Sequence, residues 1–294
     1  MFMKKQALFL LLLVVAALSA QAQLLWKVSK PGSDKTTYLF GTHHFAPLSV
    51  IDNMPLADLI AQADEIYGEL SLDEMNSLAA NPALAAAMMA PADSTLDKVF
   101  TPAELSEITS TLQQTFNEPM MPMIIQQMNP MKPAALDMVI AQLAVAKLMP
   151  DFDMTKQLDK TLLQMGADAS KPVKGLETAA SQLNALFGGS IRQQAESLLK
   201  GLRSNKNTLD EFTKLTDLYL AGNLTALAAM TAESMTADQQ KKMIDDRNDA
   251  WIDFMLGMLP TTSMFIICGA GHLGGDKGLI NQLRNNGYTI EPAI

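Results

Sequence analysis

The tightest constraint on this chain's fold lies near its C-terminus. Met264-Phe265-Ile266-Ile267-Cys268 is an unbroken apolar run that enters a glycine-rich turn, Gly269 to Gly275, and is followed by a helical stretch, Leu279 to Asn285. A strand with no polar alternation must be covered on both faces, which places it inside a helix-flanked sheet rather than on a half-wet hairpin. Tyr288-Thr289-Ile290 then reads as a closing strand. An α/β fold follows, and the turn after such a strand is where open α/β sheets bind ligands.

The other end of the chain repeats the pattern. Leu24 to Ser29 and Thr36 to Phe40 flank the turn-forming cluster Pro31-Gly32-Ser33-Asp34 and predict a hairpin, whose second strand runs into Gly41-Thr42-His43-His44. Apolar residues at near-helical spacing from Asn53 to Ala63 precede Glu65-Ile66-Tyr67-Gly68-Glu69-Leu70, which has strand character, giving a β-α-β order. Pro172 to Glu177 predicts a third short strand. Strand, G-x-x-H and helix thus occur once at each end, predicting a mixed central sheet built from two such halves. Between them, Leu72 to about Leu163 is rich in Ala, Leu, Met and Gln, with helix-start signals at Ser94 and at Thr101-Pro102-Ala103-Glu104. That segment, 72–163, reads as a mostly helical insert. Thr178 to Phe187 and Ile191 to Met258 return to helical patterning.

Residues 1–22 have a different character: Lys4 and Lys5, the apolar run Ala7 to Leu18, then Ser19-Ala20-Gln21-Ala22. This is the order of a signal peptide, and it predicts an exported protein, periplasmic or secreted, with 23–294 as one α/β domain. The apolar run is about half the roughly 20 residues a bilayer-spanning helix needs, so no stable membrane insertion is expected after cleavage. The formal charge is −9, and loss of the two lysines leaves the remainder more acidic still. Nucleic acid and anionic membrane surfaces, which require a basic footprint, are therefore not expected partners. Cys268 is the single cysteine and has no intrachain disulfide partner; its position inside an apolar strand favours core packing over nucleophilic chemistry.

The chain's only three histidines all sit in the two G-x-x-H turns, and on this basis they are expected to converge on one polar site. His44 and His272 end their motifs, each just past a strand, where glycine lets the backbone bend sharply and approach a ligand. His43 points to the opposite side from His44 and is expected to pack away, with a role as a spare ligand the lesser alternative. Glu69 ends the second strand and Glu177 the third, so carboxylates reach the same edge as the imidazoles. Such nitrogen and oxygen donors suit Mn, Co, Zn or Fe, or a general base. Each glutamate has a plain alternative: Glu69 as a surface residue, Glu177 as a cap for the helix that follows. The methionines of Met120-Met121-Pro122-Met123, with Met128 and Met131, are read as packing or peptide-gripping surface rather than as Cu(I) ligands.

Several segments together resemble the TraB/GumN family, whose animal relatives are the Tiki metalloproteases, within a larger group that includes the erythromycin esterases. They are Tyr38-Leu39-Phe40-Gly41-Thr42-His43-His44, Lys171-Pro172-Val173-Lys174-Gly175-Leu176-Glu177-Thr178, Arg247-Asn248-Asp249-Ala250-Trp251, and Gly269 to Tyr288. By that resemblance His44 and His272 are the two motif histidines and Glu69 the acidic residue after the second strand, implying that these three hold a divalent metal. Glu177 and Arg247 fall in the middle and penultimate motifs. Arg247 is left with three readings: a bidentate clamp on a substrate carboxylate, a support for a glutamate, or a helix-surface ion pair with Asp246 or a neighbour.

The leading expectation is a metal-dependent hydrolase, a peptidase acting on a peptide or small-molecule substrate, with Glu69 or Glu177 as proton acceptor. The absence of H-E-x-x-H sets it apart from zincins. The alternatives are a metal-free esterase-like hydrolase using His44 as base, and a non-catalytic protein that captures a peptide, haem or metal.

Overall fold

The computed structural model describes residues 23–78, 81–153, 155–204 and 207–293. The signal-peptide reading of residues 1–22 lies outside them. A six-stranded mixed sheet forms the centre: β1 (Leu25–Ser29), β2 (Thr37–Thr42), β3 (Glu65–Gly68), β4 (Val173–Gly175), β5 (Met264–Gly269) and β6 (Thr289–Pro292), in the order β4-β3-β5-β2-β1-β6. β4, β3, β5 and β2 run parallel, and β1 and β6 add antiparallel pairs at one side.

The two halves are interleaved rather than set side by side. The C-terminal strand β5 lies between β3 and β2, with Gly41 opposite Cys268 and Thr42 opposite Gly269. Burial accounts for this position: Met264 to Cys268 are at most 1% exposed, and only an interior strand is covered on both faces and both edges. Each of its four large side chains contributes roughly 1.5–3 kcal/mol by leaving water. The consequence for function is direct, because the two G-x-x-H turns become neighbours at the carboxyl edge of the sheet. Gly41 permits that closeness: a Cβ there would lie 2.7 Å from Leu273 Cδ1 and 3.2 Å from Ala270 Cα.

Among its described residues, segment 72–163 forms helices and their connecting loops, apart from an isolated bridge between Met89 and Met131. Thr101 and Glu104 form the reciprocal capping box at the start of helix Pro102–Phe116. The helical region has its own core, in which Leu96, Ile108, Leu112, Met121 and Leu136 pack with Ala195 and Leu198 from helix Ile191–Arg203. Its limits differ from the single stretch expected. Helix Leu158–Asp168 packs on the sheet instead, because Leu158, Leu162 and Leu163 share one face and bury it in the sheet's core. Of the methionine cluster, Met121 and Met128 are core residues and Met120 and Met123 are exposed.

No helix among the described residues is long and apolar enough to cross a membrane. Cys268 is buried, and burial pushes its thiol well above the ordinary cysteine range.

Candidate functional site

Four parallel strands deliver their C-terminal ends to one edge. Glu69 follows β3, Glu177 follows β4, His44 follows β2 and His272 follows β5. The β3–β4 pairing continues past both strands, with Leu176 N–H donating to Gly68 O at 2.8 Å and Glu177 N–H to Glu69 O at 3.0 Å. This sets the two glutamates side by side.

Arg247, near the start of helix Asp246–Met258, binds both of them. Its Nη2 donates to Glu69 Oε2 and Glu177 Oε1, each at 2.6 Å, and its Nε to Glu177 Oε1 at 3.1 Å and Oε2 at 3.2 Å. Nη1 donates to Met243 O at 2.9 Å and to His272 Nε2 at 3.0 Å. Every donor of the guanidinium has a protein partner, so of its three readings the support for glutamates is the one seen. Asp246 pairs with Lys241 instead. Met243 lies in a π turn, Lys241–Asp245, a local widening that often marks functional positions in helices. Glu177 is free for Arg247 because Thr178 itself caps helix Ala179–Phe187, accepting from Ser181 N–H at 3.2 Å.

Glu69 is held from three directions. Oε1 accepts from Gly269 N–H at 2.8 Å; Oε2 accepts from Arg247 and from Gln182 Nε2 at 3.1 Å. A side chain at residue 269 would crowd that oxygen, since a Cβ there would stand 3.3 Å from Oε1. Burial alone would raise this carboxyl, but His272, Arg247 and the Gly269 amide overcome it and hold it at about 2. At Glu177 burial prevails over Arg247 and lifts the carboxyl above its ordinary range.

The two motif histidines occupy opposite environments. The His272 side chain is 5% exposed and its ring packs on Trp251, with centroids 4.6 Å apart. Asn248 fixes its tautomer. The Asn248 amide nitrogen donates to the carbonyls of His272 at 3.1 Å and Lys277 at 2.9 Å, so its oxygen accepts from His272 Nδ1–H at 2.7 Å. That leaves the Nε2 lone pair facing Arg247. Burial is the main reason that the ring stays neutral, its pKa lowered to about 4.

The His44 side chain is 59% exposed. Its Nδ1 meets Asp159 Oδ2 at 3.1 Å, and Thr42 Oγ1 donates to the other Asp159 oxygen at 2.5 Å. The carboxylate of Asp159 raises the imidazole to about 9. Nε2 of His44 has no hydrogen-bond partner among the described residues.

The three histidines do not share one polar site. His43 turns into an aromatic pocket formed by Phe45, Phe212 and Tyr219, and its Nε2–H donates to Thr216 Oγ1 at 3.3 Å. Burial lowers it to about 4. The two side chains diverge just past the end of β2, where the chain enters the turn.

Asp159, Asn248 and Gln182 escaped the sequence reading. Asp159 stands in the first turn of its helix, where an acidic residue ordinarily serves the helix dipole, so nothing in the pattern sets it apart. Asn248 lies inside the segment that carried the family resemblance, and its complete burial was the missing signal.

Both imidazoles direct Nδ1 at an acceptor and keep Nε2 for another partner, as metal-bound histidines do. With ionised Glu69 they make a donor set that fits a divalent ion in kind. Arg247 holds two of those groups at present, and no three His, Cys, Asp or Glu side chains among the described residues are gathered closely enough to bind an ion as they stand.

An α/β protein carrying a histidine, carboxylate and guanidinium cluster at the joined ends of its parallel strands is the class that fold and site define. Within it, the chain belongs to the TraB/PrgY/gumN family, whose model matches residues 24–292. No curated protein and no solved structure matches the chain.

Proposed function

We propose that this is an exported metal-dependent hydrolase acting on peptides. The observation that carries the reading is the matched orientation of the two motif histidines, each anchored through Nδ1 by a buried acceptor, beside a glutamate that stays ionised. His44 Nε2, His272 Nε2 and Glu69 would hold the ion, which when bound polarises a carbonyl and lowers the pKa of a water. Mn, Co or Zn suits these donors. Asp159 and Asn248 hold the imidazoles through Nδ1 and so leave each Nε2 for the ion. Glu177, lifted by burial, accepts the proton lost by the attacking water and can return it to the leaving amine. Arg247 balances the two carboxylates and releases His272 Nε2 when the site is loaded. Export is supported by the charged, apolar and small-residue order of residues 1–22.

The test is metal content and peptide turnover measured on the same preparations of wild type, His44→Ala and His272→Ala, with folding followed by circular dichroism. Both variants are expected to lose turnover and metal while remaining folded. Variants that keep full metal and full activity would defeat the reading. A second reading, a metal-free esterase-like hydrolase, takes its support from the His44–Asp159 pair, which has the form of a base held by an orienting carboxylate. Ester turnover that survives exhaustive chelation would select it.

A further inference from the structure

A cleft of about 450 Å³ opens beside the cluster, and its walls include Asp137 and Met138 of helix Pro133–Leu148, Leu186, Met235, Lys242 and Met243. Two elements connect it to the cluster. On helix Ala179–Phe187, Gln182 binds Glu69, and Leu186, four residues on and therefore on the same face, lines the cleft. On the π turn and the helix after it, Arg247 binds both glutamates, and Met243, four residues before it, lines the cleft while its carbonyl accepts from Arg247. The cleft thus begins about one helical turn, roughly 5 Å, from the cluster along both elements.

The charges in it are not balanced. Lys242 is bound to Asp238 at 2.7 Å, whereas Asp137 makes no hydrogen bond or ion pair among the described residues. Asp137 is solvent-exposed on the cleft wall, where its carboxylate can meet an incoming ligand. A lone carboxylate with methionine and leucine around it is the complement of a cationic head on an apolar stem. The net charge of −9 draws such ligands toward the protein.

We propose that this cleft is the specificity pocket for a basic residue of the substrate, an arginine or lysine whose charge meets Asp137 and whose stem lies along Met138, Leu186 and Met243. The proposal deepens the hydrolase reading by naming the substrate class of the same site, and it is tested by binding rather than by turnover.

The probes are Nα-acetyl-arginine-N-methylamide and its norleucine counterpart, titrated into the full chain carrying ¹³C-methyl methionine. The arginine probe is expected to bind at least tenfold more tightly and to shift the methyls of Met138, Met235 and Met243. Asp137→Asn removes no internal bond, so it should fold, and it is expected to abolish the preference. Asp137→Lys is expected to transfer the preference to a third probe, Nα-acetyl-glutamate-N-methylamide. Equal affinities for the arginine and norleucine probes in the wild type, an arginine preference that survives Asp137→Asn, or shifts confined to methyls outside the cleft would overturn the proposal. A wild type that shows the arginine preference yet hydrolyses no peptide would instead defeat the hydrolase reading.

Discussion

The two G-x-x-H turns are alike in sequence and opposite in electrostatics. His272 is buried against Trp251, held neutral at about 4, and bonded by Asn248 and Arg247. His44 is mostly exposed, raised to about 9, and bonded by Asp159. At neutral pH the same imidazole carries a free electron pair in one turn and, until a metal displaces its proton, a positive charge in the other. A motif repeated in a chain therefore specifies where a histidine stands relative to a strand end; the elements packed over it specify its protonation state. Separation of titratable groups in this way is what acid–base chemistry at one pH requires.

The severest way to break the contrast is to remove the cation on the His272 side. Arg247→Met would leave Glu69 and Glu177 buried side by side without their counter-ion, and urea unfolding is expected to show a loss of about 3–5 kcal/mol. One of the two carboxyls should then titrate far above its ordinary range. Stability close to that of the wild type would mean that the carboxylates find other partners.

The histidines themselves should differ next. His272→Ala empties a buried site and deprives Asn248 of its partner, with an expected cost of about 2–4 kcal/mol. His44→Ala exposes Asp159 to water, which can take over the lost bond, so about 1 kcal/mol is expected. Equal costs from the two substitutions would remove the asymmetry.

Acidity should sharpen it. With chelator present, His272, His43 and Glu69, three of the groups with depressed folded pKa values, contribute stability that is present at neutral pH and lost in acid. His272 and His43 lose theirs between about 6.5 and about 4, and Glu69 between about 4.5 and about 2. His44 has the opposite sign: its folded pKa is raised, so its contribution is complete below about 6.5 and lost as pH rises through about 9. Denaturation midpoints should therefore peak near pH 6.5, and the acid limb attributable to His272 amounts to up to about 3 kcal/mol. His44→Gln should flatten the alkaline limb and leave the acid limb in place.

The smallest and most selective change is Asp159→Asn. The chain has three histidines, so their ¹⁵N ring resonances can be assigned individually. His44 should fall from about 9 toward the ordinary histidine range, while His272 keeps its value. Under the hydrolase reading, metal affinity should drop about 10- to 100-fold with little loss of stability. An unchanged His44 resonance would show that Asp159 does not govern that ring.

Much of the fold was readable residue by residue. The apolar run of Met264 to Cys268 required a strand covered on both faces, the cluster Pro31 to Asp34 required a hairpin, and Thr101 with Glu104 marked a helix start that forms its capping box. The position of β5 between β3 and β2 was not readable, because strand order depends on which edges remain to be covered once every other strand is placed. Nor was the boundary of the helical region: the leucines of helix Leu158–Asp168 signal burial without saying against which core.

The candidate site divides in the same way. Sequence alone determined that His44, His272, Glu69 and Glu177 each leave a strand at its C-terminal end, since strand, turn and glycine are local features with local signatures. It also led to the expectation that His43 faces away from His44, by the alternation of adjacent residues leaving a strand. Tertiary structure decided the rest. Asp159 arrives from a helix 115 residues beyond His44, and Arg247 from one 178 residues beyond Glu69. A pKa is set by burial and by charges a few ångströms away, and neither quantity is local in the chain; only the folded sheet, with its helices in place, makes one histidine a buried neutral imidazole and the other an exposed one paired with a carboxylate.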